Sequence, residues 1–143
     1  MTSDLFDYAK DLIQANTIDI RAGDVKALPV TALYTPDFQM HAFLDDVPAV
    51  ARAVTVDAAV ALTSKVLTVA DSGTVTYDAD DVTFTAVRAG EDIVAVVLFL
   101  DTGEEATSTL IGYFDNFLNL PLPPDGRDVI FSWAADANRI FSW

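Results

Sequence analysis

Residues 73–116 read GTVTYDADDVTFTAVRAGEDIVAVVLFLDTGEEATSTLIGYFDN, and this stretch decides the fold class. Short runs rich in β-branched and aromatic residues alternate in it with acidic turns, a pattern typical of antiparallel strands. The run Ile93–Leu100 is apolar at every position, as expected of a strand that is buried on both of its faces. We therefore predict a β-sheet scaffold in which Ile93–Leu100 is the most central strand.

Alternating apolar residues predict further strands on either side of this stretch, at 25–33, 54–60, 66–69, 129–133 and 140–143. Because Pro29 has no N–H to donate to a ladder, the first of these strands is expected at a sheet edge or beside a bulge. Many short strands joined by turns predict a mainly β fold, an antiparallel β-sandwich that is jelly-roll-like. No shift in composition divides residues 1–143, so we expect a single domain with strands from about residue 24 to residue 143.

One N-terminal α-helix is expected before the strands, over about residues 4–16. Its apolar residues, from Leu5 to Ile13, recur at intervals of three and four and form one stripe. Thr2 or Ser3 stands where a cap is expected. Packing of this stripe against the sheet is the simplest role for the helix, and binding of a partner is the alternative.

The charge of the chain is strongly negative. Twenty-two acids, nineteen of them Asp, face eight bases, which gives a net charge of −14. Such a chain repels nucleic acid and anionic lipid, so we expect neither a nucleic acid nor a membrane as partner. At ~1 M salt the Debye length is about 3 Å and self-repulsion is screened, so the composition favours a halophilic protein. An ordinary acidic protein with well-solvated turns is the alternative.

Targeting and redox signals are few. The longest apolar run, Ile93–Leu100, is far shorter than the ~18 residues that span a bilayer. The start of the chain lacks the basic residues of a signal peptide, and the chain has no cysteine. These features fit a protein that is made in the cytoplasm and enters a larger assembly there.

Catalytic motifs are not found. His41 is the only histidine, and its neighbours form no nucleophile motif on which a catalytic triad could be built. The glycine-rich loops that bind phosphates are missing. Most acids fall in turns rather than in a cleft lined by aromatic residues, which disfavours a glycosidase. We therefore predict that the protein is not an enzyme and has no cofactor.

Two acidic clusters offer hard oxygen ligands for Ca²⁺ or Mg²⁺. Asp78, Asp80 and Asp81 form one cluster, and residues 101, 104 and 105 form the other. The spacing of an EF-hand is absent, and clusters arise by chance in so acidic a chain. We predict no metal site, and the cluster at 78–81 is the nearest approach to one.

Several exposed-looking aromatic positions are candidates for an interface. Phe38, His41 and Phe43 lie in an irregular segment, 38–50, that is expected to hold a short helical turn near 41–44. Phe141 and Trp143 place apolar rings at a position where termini are usually polar and frayed. These rings must be buried in the domain or in a neighbouring subunit, so we expect a homo-oligomer.

The chain resembles a family of small structural proteins encoded by tailed viruses of bacteria and archaea. The resemblance covers nearly the whole chain and depends on an ordered set of segments rather than on one signature. These are Ala9–Ile13, Asp24–Leu28, Leu33–Asp37, His41–Val47, Tyr77–Phe84, Asp101–Gly103, Leu110–Asp115, Phe131–Asp136 and Ile140–Phe141. The chain departs from the family pattern at Pro29 and in the proline-rich segment 120–124.

The resemblance implies a virion component without catalytic residues. A capsid decoration protein, exposed on the head surface, would bind the major capsid protein as a symmetric oligomer, expected to be a trimer, and would stabilise the shell. A tail or baseplate component is the alternative virion role. Because the acidic composition favours a halophilic protein, we expect the virus to infect a halophilic archaeon. A carbohydrate-binding β-sandwich module with exposed Trp or Tyr is the alternative of a different class.

The charge generates a prediction about salt. We expect the melting temperature to rise substantially from dilute buffer to molar KCl, because screening removes repulsion among acids that eight bases cannot balance. Thermal unfolding followed by circular dichroism measures this rise. A flat response would show that the acids are ordinary solvated side chains.

Overall fold

The computed structural model describes residues 4–69, 71, 73, 75–117, 119–133 and 140–142. In these residues one helix, α1, spans Asp7–Gln14, and three single 3₁₀ turns span Leu44–Asp46, Ala49–Ala51 and Val56–Ala58. The strands are β1 (Asp4–Leu5), β2 (Val25–Thr31), β3 (Val60–Ala61), β4 (Val66–Val69), β5 (Val75–Asp78), β6 (Val82–Phe84), β7 (Ile93–Leu100), β8 (Thr109–Phe114), β9 (Val129–Phe131) and β10 (Phe141–Ser142).

The strands form three sheets in which every pair is antiparallel. The largest sheet has five strands in the order β1-β8-β7-β2-β3, the second has the order β10-β5-β4, and the third pairs β6 with β9. Strand β7 is the middle strand of the largest sheet, which confirms the prediction from its apolar sequence. The protein is therefore mainly β, with antiparallel sheets and one short helix, as predicted.

Strand β7 contributes to two separate apolar cores because its side chains alternate between the faces of the sheet. The first core contains Val96 and Leu98 together with side chains from the other two sheets, including Phe84 and Phe131. The second core contains the alternate residues of β7 and side chains from the segments that cover the opposite face. Its main members are Phe6, Leu28, Tyr34, Leu44, Val47, Ala95, Val97, Phe99, Leu110 and Tyr113.

The helix is shorter than predicted. Residues 4 and 5 form strand β1, which pairs Asp4 with Tyr113 and Leu5 with Gly112. This pairing covers the outer edge of β8, so its backbone hydrogen bonds outweigh the helical pattern at the start of the segment. Phe6 takes the N-cap position without a side-chain cap, and Thr2 and Ser3 lie outside the described residues. At the other end Asn16, with φ of 56°, stops the helix in the left-handed region.

Pro29 lies within a paired strand, in register with Val96 of β7. Its carbonyl accepts a hydrogen bond from the N–H of Ala53 on the side away from β7. The amide nitrogen of a strand residue points to the same side as its carbonyl, so the missing N–H costs β2 no bond to β7. The ladder between β2 and β7 shifts register between Val30 and Thr31, beside the proline.

The strand predicted at 54–60 is wrong for most of its length. Residues Val56–Ala58 form a 3₁₀ turn, and the strand is limited to Val60–Ala61, which pairs with Lys26 and Ala27 of β2. Further along β2, Arg52 and Ala53 bond to Val30 and Pro29, so that part of the edge is already occupied. The alternating apolar residues of this segment therefore pack as a coil against the two cores.

The two apolar cores generate a prediction about stability. Leu98→Ala in the first core and Leu28→Ala in the second should each lower the free energy of unfolding by about 2–5 kcal/mol, because each leaves a cavity at a fully buried position. Leu33→Ala is the matched control at an exposed position and should change stability by less than about 0.5 kcal/mol. Urea unfolding measures all three. A small effect in one core alone would show that this core is not closely packed.

Candidate functional site

The structure brings three of the predicted interface residues together. Phe38, His41 and Phe43 lie in one loop, each of them partly exposed. Met40 and Tyr8 extend this surface: 76% of Met40 is exposed, and the ring of Tyr8 contacts Phe43 at 5.4 Å between centroids. We call these five residues the aromatic surface. The side chain of Phe141 and all of Trp143 lie outside the described residues.

Asp37 organises the loop that carries this surface. Its carboxylate accepts hydrogen bonds from the N–H groups of Gln39 and Met40, both at 3.2 Å. Its carbonyl accepts from the N–H of His41 at 2.8 Å. A carboxylate that bonds to backbone amides two and three residues further on is the usual way in which Asp holds a tight turn. Met40 is therefore presented at the tip of a closed turn.

Tyr34 fixes the ring of His41. The backbone N–H of Asp37 donates to Nδ1 of His41 at 3.1 Å, so this nitrogen carries no proton and the tautomer is Nε2–H. The Tyr34 hydroxyl lies 2.9 Å from the same nitrogen, whose single lone pair it shares with the amide, and the two rings stack with centroids 5.5 Å apart. Burial raises the pKa of Tyr34 well above its usual value, so the hydroxyl remains a donor.

The phenylalanines attach the loop to the body of the protein. Phe38 packs against Phe6 at 5.2 Å, and its carbonyl accepts from the N–H of Asp7 at the start of α1. Phe43 forms an isolated β-bridge with Thr109 of β8. The adjacent Ala42 carbonyl accepts from the N–H of Leu110 at 2.9 Å. The aromatic surface is thus fastened both to the helix and to the five-stranded sheet.

Arg52 holds the segment that follows the loop. Its guanidinium donates to the carbonyls of Leu44 and Val47, at 3.2 and 2.7 Å for Nη2, and to Glu105 at 2.7 Å. The Arg52 side chain is almost fully buried, whereas that of Glu105 is half exposed. Because a buried cation needs several partners, this arrangement ties the 3₁₀ turns to the acidic loop before β8. The hydrogen bond from Arg52 also lowers the pKa of Glu105.

The acidic cluster at 78–81 does not form a shared site. The carboxylate of Asp80 accepts from Thr63 at 3.3 Å, and that of Asp81 accepts from Ser132 at 3.1 Å. Asp78 pairs with Val66 in the ladder between β4 and β5. Within the described part of the chain, no group of three or more acidic or histidine side chains is arranged to hold a metal ion.

Trp133 is unsuited to stacking against a sugar because it is buried. Its indole N–H donates to the carbonyl of Asp80 at 3.1 Å, and its ring packs edge-on against Phe114. The feature that favours a carbohydrate-binding module is an exposed Trp or Tyr, and Trp133 does not supply it. Among the residues described, the exposed aromatic character is concentrated instead on the aromatic surface.

The aromatic surface has the chemistry of a protein contact. It combines apolar rings and a flexible thioether with polar edges from Tyr8 and His41, the mixture that is enriched where proteins meet. Two donors already occupy Nδ1 of His41, so this nitrogen is not placed to act as a general base. No helix in the described part of the chain is long and apolar enough to cross a membrane.

Sequence reasoning identified three members of this surface and missed two. Tyr8 belongs to the apolar stripe of the predicted helix and was expected to pack inward, but its ring lies at the margin of the stripe. Met40 is not among the predicted interface residues. The signal that could have identified it is its position next to His41, three residues beyond the Asp of a Pro-Asp turn.

No protein-family model matches the chain, and no curated protein matches it.

The pairing of Arg52 with Glu105 predicts a dependence on pH. The pKa of Glu105 is lowered from 4.5 in the folded chain, so the stability that it contributes is full above this value and is lost as the pH falls through the folded pKa. Glu105→Gln should lower the free energy of unfolding at pH 7 by at most about 1 kcal/mol, because the carboxylate is half exposed.

The difference between Glu105→Gln and the wild type should close in acid, and urea unfolding at pH 7 and pH 3 measures it. Glu104→Gln is the control, since it removes a neighbouring exposed carboxylate without removing the bond to Arg52. If both substitutions have the same effect, the loss reflects net charge and not the ion pair.

Proposed function

We propose that the chain is a structural protein of a virion, a capsid decoration protein on the head surface that binds the major capsid protein as a symmetric oligomer. The observation that carries the proposal is the aromatic surface, which is apolar at its tip and fastened to the fold by backbone and side-chain bonds. The resemblance of the sequence to virion proteins of tailed viruses supplies the biological setting. In this role the protein acts by binding and has no catalytic step and no cofactor.

Binding through the aromatic surface would stabilise a shell by covering apolar area that spans neighbouring capsid subunits. A contact of this kind is favourable in proportion to the apolar area removed from water. A rigid loop loses little conformational entropy when it binds, which favours affinity. The proposed partners are thus the major capsid protein and further copies of the chain.

The charge supports an outward-facing position. A net charge of −14 repels packaged DNA, so a place outside the shell suits the chain better than one inside it. We propose further that the virus infects a halophilic archaeon, since concentrated salt would screen repulsion between neighbouring copies.

We also propose that the three sheets form a jelly-roll-like sandwich. The support is the first core, in which side chains of the five-stranded sheet meet those of β5, β6 and β9. An experimental structure in which the smaller sheets lie edge to edge with the larger one, instead of facing it, would exclude this arrangement.

The location of the protein in the particle tests the virion role. Purified particles labelled with a gold-conjugated antibody should carry gold over the head. Label along the tail alone would assign the chain to the tail or baseplate. Particles that lack the chain altogether would exclude both roles, and binding to a glycan array would then support the carbohydrate-binding alternative.

The tip of the aromatic surface generates the corresponding prediction. Met40→Glu should weaken binding to capsids that lack the protein at least about tenfold, because it places a charge in an apolar contact. Ile130→Glu is the control: it makes the same change in charge at an exposed apolar residue of β9, whose other side chains pack in the first core. Cosedimentation with capsids measures both. Equal loss in the two variants would show that net charge, and not the aromatic surface, governs binding.

A further inference from the structure

Acidic residues are distributed along the whole chain, and the two longest intervals without one are residues 25–36 and 58–70. No acid occurs between Asp57 and Asp71, the longest interval without one, and Lys65 is the only charged residue within it. We call residues 58–69 the acid-free segment. A second negatively charged body that approaches this segment meets no acid of the segment itself.

The acid-free segment forms the outer strands of two sheets. Its first part contains β3, which ends the order β1-β8-β7-β2-β3, and its second part contains β4, which ends the order β10-β5-β4. Ser64, with φ of 55°, lies in the short connection between these strands. Two sheet edges therefore follow one another along one side of the described structure.

Strand β4 is a short edge strand of four residues that lacks two of the other usual protections. Its residues Val66–Val69 include no charge and no proline, and Val66 and Val69 are 49% and 68% exposed. An exposed uncharged edge is a template for pairing with another strand. Lys65 precedes β4 and is a charge that could protect this edge, but its ammonium donates to the carbonyl of Gly23.

We propose that the occupant of this edge is a second copy of the chain, joined by antiparallel pairing of β4 with its symmetry mate. A two-fold axis places the acid-free segments of both copies opposite each other, so the closest strands bring no acid against an acid. Acids of the same copy lie nearby but outside the segment: Asp80, whose carboxylate accepts from Thr63, Asp78 one strand inward, and Asp71 beyond the end of β4.

Antiparallel pairing also matches the charges at the ends of the strand. Lys65 precedes β4 and Asp71 follows it, so each copy would bring its Asp71 near Lys65 of the other copy. An ammonium group has three protons, and the bond to Gly23 uses one of them. Parallel pairing in register would instead place the two lysines side by side.

The two-fold contact is independent of the virion role and differs from the trimer that the family resemblance implies. Pairing of β4 with itself builds assemblies with an even number of copies. It also leaves the aromatic surface, which lies over the second core, free for another partner. The contact is short, so we expect weak association, which becomes detectable once salt screens the net charge.

Sedimentation velocity of the full chain in molar KCl tests the proposal, with Val69→Glu and Val66→Lys as variants. The wild type should form dimers, and each variant should raise the dimer dissociation constant at least about tenfold, because each buries a charge at the paired edge. Val66→Lys faces Asp78 in the ladder of the folded monomer, so it should not impair folding. Val66→Lys also reduces the net negative charge of the chain. If general repulsion governed dimer formation, this variant would therefore associate more tightly than the wild type.

Val50→Glu is the matched control, since Val50 is 76% exposed in a 3₁₀ turn outside the acid-free segment. It should leave the dimer unchanged. A wild type that stays monomeric at millimolar concentration, a trimer, or a dimer that only Val50→Glu disrupts would each overturn the inference. None of these results bears on whether the protein lies on the capsid, which gold labelling decides separately.

Discussion

Strand β7 has no polar face, and the arrangement of the other elements follows from this. A strand that is apolar on both faces is stable only when each face is covered, because exposed apolar area costs free energy in proportion to its size. One face meets side chains from the two smaller sheets, which form the first core. The other is covered by Phe6, which precedes helix α1, and by segments without regular strands, which form the second core. One face is covered by strands and the other mainly by coil, so the two covers are suited to different tasks.

The cover of the second core carries the aromatic surface. A coil that lies over a sheet must satisfy its own backbone groups, and here Asp37, Asp46 and Arg52 do so with short side-chain bonds to backbone atoms. These bonds also make the cover rigid, which suits a surface that binds a partner. Loops that are held by a scaffold commonly carry function for this reason. The proposed capsid contact is therefore placed where irregular structure is most firmly held.

Charge and sheet edges determine where copies of the chain can meet. The net charge of −14 opposes close approach of two copies, and the acid-free segment falls on the outer strands of two sheets. Edges are normally protected by charge, so an uncharged edge in a highly charged protein is informative. The aromatic surface and this edge lie in different parts of the chain, which allows a contact with the capsid and a contact between copies to coexist.

The sequence by itself determined the mainly β class, the central position of β7 and the negative net charge, because periodicity and charge are local properties of the chain. It identified Phe38, His41 and Phe43, but it did not indicate that Tyr8 joins them, since that contact connects the helix to a distant loop. Three outcomes depended on which backbone groups meet in space: the strand at Asp4–Leu5, the 3₁₀ turn at Val56–Ala58 and the tolerance of Pro29 in a paired strand. The edge of β8 was available to Asp4–Leu5, whereas part of the edge of β2 was already occupied by Arg52 and Ala53. Only the tertiary structure specifies which edges are available.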